Sequence, residues 1–141
     1  MDPEVLAKKA LCHTCLAKIY ASQGKIPAAI LEYQELLKLT PNDATVHFEF
    51  ATLLAHNNKP DLAAPQYTQA AKLKPAVAEY QAGLGYALMC QKNPDAAVAA
   101  YTKACSLGGK YQTQLQNAQQ YQAQQKLLDR YKKKLEQQNN E

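Results

Sequence analysis

Apolar residues recur at helical spacing in six short stretches, arranged as three pairs. In the first member of each pair the stripe reads Leu16, Ala17 and Tyr20, then Phe50, Ala51 and Leu54, then Leu84, Gly85 and Leu88. In the second it reads Ala29 and Tyr33, Ala63 and Tyr67, Ala97 and Tyr101, followed three residues on by Leu36, Ala70 and Ala104. Recurrence at this spacing predicts one buried face on each of six α-helices. Between the members of each pair stand Gln23-Gly24-Lys25, Asn57-Asn58-Lys59-Pro60 and Gln91-Lys92-Asn93-Pro94. These are turn signals that stop one helix and start the next. Pro60 and Pro94 suit a first helical turn, where proline's missing N–H has no helical partner to lose.

The pairs repeat at a fixed interval. Leu39-Thr40-Pro41 and Leu73-Lys74-Pro75 stand 34 residues apart, and Leu107-Gly108-Gly109 follows in the same register, which defines units 10–43, 44–77 and 78–111. Each unit sets small residues beside large rings, as two antiparallel helices require if a ring is to enter the gap between them. Asp2, Pro3 and Glu4 read as an N-cap, a first-turn proline and a favourable acidic residue. The first helix is therefore expected to begin near Pro3, with residues 1–9 extending it beyond its unit. From Lys110 to about residue 137 there is no helix breaker, and Tyr111, Leu115, Ala118, Tyr121, Leu128, Tyr131 and Leu135 share one side. Residues 112–141 are expected to form a capping and projecting helix, because a stack of repeats ends in an apolar face that needs cover. Residues 110 to about 122 supply that cover. Past the glutamines at 122, 124 and 125 the helix is free to meet a partner chain, meet a second copy, or fray.

This pattern resembles the tetratricopeptide repeat: large apolar, Leu-Gly or Leu-Ala, Tyr, then Ala, aromatic, Ala and a closing Pro, three times in register. Departures are His13, His47 and Gln81 in a slot where the family often has Trp, Leu36 for a small residue, and Gly109 for the third Pro. The resemblance implies an all-α fold, a right-handed superhelical α-solenoid of helix-turn-helix repeats, in which the first helices line a concave groove. In this sequence that groove is expected to present Leu11, Thr14, Cys15, Lys18 and Ser22 from the first unit. The second contributes Thr45, Phe48, Glu49, Thr52 and His56, and the third Glu79, Ala82, Gly83, Tyr86, Met89 and Cys90.

The implied function is protein–protein interaction: a scaffold or assembly factor that binds a peptide or helix of a partner in the groove. The alternative is a self-associating structural protein using the long last helix. An apolar strip of Leu11, Phe48, Ala82, Tyr86 and Met89, with Glu49 and Glu79 on one part and Lys18 on another, suits a peptide with one or two apolar anchors and a basic residue. One subset of the family holds acidic chaperone C-termini with a clamp of Lys, Asn, Asn, Lys and Arg. Here those places hold Thr14, Lys18, Glu49, Glu79 and Gly83. With two carboxylates in the set, a C-terminal carboxylate would be repelled, so a partner of the carboxylate-clamp type is not expected.

Charge changes little. The net charge of +4 is concentrated at Arg130, Lys132, Lys133 and Lys134, and the rest nearly balances, so nucleic acid is not an expected partner. Flanked by Asp129 and Glu136, the basic run reads as a solvated helix face. No stretch approaches the roughly 20 apolar residues of a membrane span, and Met1-Asp2-Pro3-Glu4 lacks the order of a signal peptide. The expectation is a soluble chain whose membrane contacts come only through a partner or an anchor outside these residues. Four unpaired cysteines suit the cytoplasm or another reducing compartment.

Cys12-His13-Thr14-Cys15 invites a metal, but a structural zinc site needs four ligands, and Cys90, Cys105, His47 and His56 are distant in sequence. Inside a helix the motif also lacks the N-terminal dipole that lowers a thiol pKa. Cys12 and Cys15 are read as small half-buried helix residues, and His13 and His47, at equivalent places, as packing between adjacent repeats. With no phosphate loop, HExxH, GxSxG or paired carboxylates, neither an enzyme nor a cofactor is expected.

Overall fold

The computed structural model describes residues 1–139, and its regular elements are seven α-helices. They are α1 (Pro3–Ser22), α2 (Ile26–Leu39), α3 (Ala44–His56), α4 (Pro60–Leu73), α5 (Ala78–Cys90), α6 (Pro94–Ser106) and α7 (Gln112–Asn139). The last two residues of the expected segment 112–141 lie outside the described residues. Consecutive helices pair as α1 with α2, α3 with α4 and α5 with α6, and the pairs stack in order with α7 against α6.

The turns repeat as faithfully as the side-chain pattern, while side-chain caps stand on only some of the helices. Asp2, Asp43 and Asn93 cap α1, α3 and α6 by accepting from backbone N–H groups two or three residues on. Each first helix ends in a residue with positive φ: Gly24 at 71°, Asn58 at 60° and Lys92 at 59°. Around it the same closing bonds recur, from the N–H groups of Lys25, Lys59 and Asn93 to the carbonyls of Tyr20, Leu54 and Leu88, each 2.9 Å. This is the left-handed helix stop that glycine adopts freely and other residues adopt at a cost. Lys92→Gly is accordingly expected to stabilise the fold by about 1 kcal/mol, read as a higher urea midpoint with an unchanged slope.

Alanines at 17, 29, 51, 63 and 97 are fully buried, and rings fill the gaps they leave. Tyr33 of α2 stacks on Phe50 of α3, centroids 5.4 Å apart, which joins the first pair to the second. At Gly85 a Cβ would stand 3.0 Å from the Tyr101 ring, so the missing side chain sets how closely α5 and α6 approach. Leu36, the departure from a small residue, is fully buried beside Tyr33 and Leu54.

Three expectations are corrected. Leu16 is 37% exposed, although its equivalents Phe50 and Leu84 pack against the preceding pair. Among the described residues no helix precedes α1, so Leu16 stands open, although Ala17 of the same stripe is fully buried. Cys12 and Cys15 are exposed rather than half-buried for the same reason. His13 bonds within its own repeat instead of between repeats, whereas His47 bonds both within its repeat and, through Pro41, to the one before. His13 Nδ1 lies 2.6 Å from Glu32, and His47 Nδ1 lies 2.7 Å from the Gln66 amide oxygen, each nineteen residues along on the second helix. His47 Nε2 also donates to the Pro41 carbonyl at 2.8 Å, which ties α3 to the turn before it.

Helix α7 has two parts. Its first half is held by buried Ala118 and by Leu115 and Tyr111 against Tyr101 and Ala104. The last side-chain contacts to the array are Gln122 to Asp95 at 2.5 Å and Lys126 to Asp95 at 3.9 Å. From Lys126 to Asn139 every residue is exposed.

Candidate functional site

The residues expected to form one groove divide among several environments. A concavity of about 280 Å³ gathers Phe48, Thr52 and His56 of α3 with Glu79, Ala82, Gly83 and Tyr86 of α5. Second helices supply its floor, Tyr67 from α4 and Tyr101 from α6, and the start of α7 closes one end with Tyr111 and Gln114.

Close packing builds this floor. The Phe48 ring tilts against Tyr67 at 5.6 Å and against Tyr80 at 5.0 Å, and the Tyr67 hydroxyl donates to Thr52 Oγ1 at 3.2 Å. A Cβ on Gly83 would stand 2.4 Å from Tyr67 Cε1, so only glycine leaves room for that ring in the floor of the concavity. At the rim, Tyr86 is 43% exposed, with the His56 ring 6.1 Å away.

The phenols report the local field. Burial, then Cys90, Tyr86 and Tyr67, pushes Tyr101 up to about 12. Tyr67 and Tyr111 are raised chiefly by burial, with the Glu79 charge a further cause at both. Tyr86 is held up first by Cys90, one turn along, then by burial and a hydrogen bond to that sulfur.

The remaining expected residues lie elsewhere. Lys18 pairs with Glu49 at 3.1 Å across α1 and α3, and Glu49 also faces the Tyr33 hydroxyl at 3.5 Å. The Thr14 hydroxyl donates to the Ala10 carbonyl of its own helix, and Leu11 stands 63% exposed beyond the concavity. Met89 does not line the concavity and packs instead against the cluster of Ala82, Tyr101, Ala104 and Ala118. Sequence reasoning missed Tyr67, Tyr101, Tyr111 and Gln114. The first two were counted as core, because periodicity reports that a ring is buried and not that it also lines a groove beside a glycine.

Glu49 has a second consequence. Burial first, then the Glu49 charge and hydrogen bond, pushes the Tyr33 phenol up to about 12 from its ordinary 10.0. A phenol raised in the folded state contributes stability fully below its unfolded value, and loses that contribution as pH rises through its folded value. With Tyr101 in the same position, urea midpoints are expected to hold up to pH 10.0 and to fall between there and about 12. Tyrosinate absorbance followed in parallel should show the late phenols ionising as helicity is lost.

Among the described residues no helix is long and apolar enough to cross a membrane, and no three His, Cys, Asp or Glu side chains converge as metal ligands.

Two family models match the chain, one described as TPR repeat over residues 17–58 and one as tetratricopeptide repeat over 48–111. The fold is similar to that of the first TPR of Spaghetti (RPAP3), solved bound to the HSP90 peptide SRMEEVD. The TM-score is 0.75 at 20% identity, over 82% of this chain and 94% of that one. It is similar to the TPR2B domain of yeast Sti1 in a complex with pHsp70, with TM-score 0.71 and 20% identity over 84% and 98% of the two chains. A third likeness is to MamA, with TM-score 0.68 and 21% identity, where the match covers 72% of this chain and 55% of the other. No curated protein matches the sequence. The fold is thus an all-α, right-handed superhelical solenoid of helix-turn-helix repeats.

Proposed function

The chain belongs to the tetratricopeptide-repeat family, and on that premise we propose that it is a non-enzymatic protein-interaction module. It acts as a scaffold or assembly factor that holds a peptide or helix of a partner against the concave side of α3 and α5. One observation carries this reading: an open aromatic concavity whose rim residue, Tyr86, stands 43% exposed on a rigid helix. Exposed aromatic anchors in a concave, preformed surface are where binding energy concentrates. That proteins sharing this fold are solved with an HSP90 peptide and with pHsp70 supports a peptide as the class of ligand.

The ligand is of a different kind from an acidic chaperone tail. Glu79 supplies a negative charge at the cavity, and an arginine at Gly83 would collide with Tyr67. Nucleic acid is disfavoured for the same electrostatic reason. Photo-crosslinking tests the reading. p-Benzoylphenylalanine placed at Tyr86 should capture a protein partner from cell extract, and the same group at Leu62, 57% exposed on α4 outside the cavity, should not. Equal capture at both positions contradicts it.

A second reading, self-association, rests on the projecting half of α7, where Leu127, Leu128, Tyr131 and Leu135 are all exposed. Light scattering decides it. A mass of 15.6 kDa at all concentrations sets the reading aside, and a doubling abolished by Leu128→Glu supports it.

A further inference from the structure

Resting on the groove reading, we propose that the concavity is a receptor for one cationic side chain, a lysine or arginine of the bound peptide, with Glu79 as its counter-ion. At about 280 Å³ the space stands at the small end of the roughly 300–1,000 Å³ of ligand pockets and has room for a single side-chain anchor. Its walls are the rings of Phe48, Tyr67, Tyr86, Tyr101 and Tyr111. Ring faces attract a cation within about 6 Å, and their apolar surface accepts the methylene stem that carries it.

The charge inventory points the same way. No lysine or arginine lines the concavity, and Glu79 is its one carboxylate. Glu49, on the neighbouring part of the concave face, is paired with Lys18, whereas Glu79 takes part in no ion pair among the described residues. The Glu79 field reaches both the Tyr67 phenol in the floor and the Tyr111 phenol at the end closed by α7. Gly83 completes the arrangement, since any side chain there would displace the Tyr67 ring from the floor. An acidic side chain entering this space would meet a carboxylate that is paired with no cation among the described residues. A purely aliphatic one would cover Glu79 while giving it no partner.

The test is selection of a random phage-displayed peptide library on the full chain, followed by titration of the selected peptides against variants of confirmed helicity. Selected peptides are expected to share a lysine or arginine next to an apolar residue. Glu79→Gln should weaken them about tenfold, and Glu79→Lys more, with both losses shrinking at high salt. Replacing the shared basic residue by citrulline or norleucine should cost a similar factor. If the selected peptides lose binding in Tyr86→Ala but show no basic position and tolerate Glu79→Lys, the cation receptor is overturned while the groove reading stands. If no peptide is selected, or binding survives both Phe48→Ala and Tyr86→Ala, both readings fall.

Discussion

Leu54→Ala is expected to lower the unfolding free energy by about 3 kcal/mol, within the range for leucine-to-alanine changes in a packed core. Leu54 is 1% exposed and sits where the first and second helix pairs meet, in one cluster with Tyr33, Phe50, Ala63 and Tyr67. Most of its neighbours are alanines and rings, which are too short or too stiff to fill the void. A domain of this size has about 5–15 kcal/mol in total, so the loss is a large fraction. In a stack where each unit contacts only its neighbours, it also weakens the coupling between pairs. Urea unfolding followed by far-UV circular dichroism measures it. Leu62→Ala, exposed on α4, should change stability by less than about 0.5 kcal/mol in the same assay. A loss below about 1 kcal/mol at Leu54 would show that the joint is looser than its burial indicates.

Removing both aromatic anchors, Phe48→Ala with Tyr86→Ala, is expected to weaken partner binding by about 4 kcal/mol, on the order of a thousandfold, at roughly 2 kcal/mol each. The two residues do not behave alike. Tyr86 stands at the rim with its ring largely free, so Tyr86→Ala should leave stability almost unchanged. Phe48 lies against Tyr67 and Tyr80, so Phe48→Ala should lose stability as well as binding. Titration by isothermal calorimetry beside urea unfolding separates the two effects. Binding unchanged in a folded Tyr86→Ala variant would place the partner elsewhere.

Much of the fold was legible because its period is local chemistry. Residues 24, 58 and 92 end their helices in the same left-handed turn, and alanine–tyrosine pairs recur in every second helix. Helix starts at Ala44, Ala78 and Gln112 follow the same interval. What a stripe covers was not legible. Leu16 has the periodicity of Phe50 but, among the described residues, no helix before it, and Met89 shares a helix with Tyr86 yet packs into the cluster of Tyr101, Ala104 and Ala118. The site was half legible. Phe48, Thr52, Glu79, Ala82 and Tyr86 come together from the first-helix pattern, whereas Tyr67 and Tyr101 join them where the backbone at Gly83 and at Gly85 leaves room for each ring. Lys18 and Glu49 stand far apart in sequence, and their pairing, which leaves Glu79 as the cavity's own charge, depends on how α1 and α3 lie together.

Hydrogen exchange of the chain with and without a crosslink-identified partner tests the central claim most directly. Added protection is expected in α3 and α5, at residues 44–56 and 78–90, with the outer side of α4 unchanged. Protection confined to residues 126–139 of α7, with α3 and α5 unaltered, would contradict it.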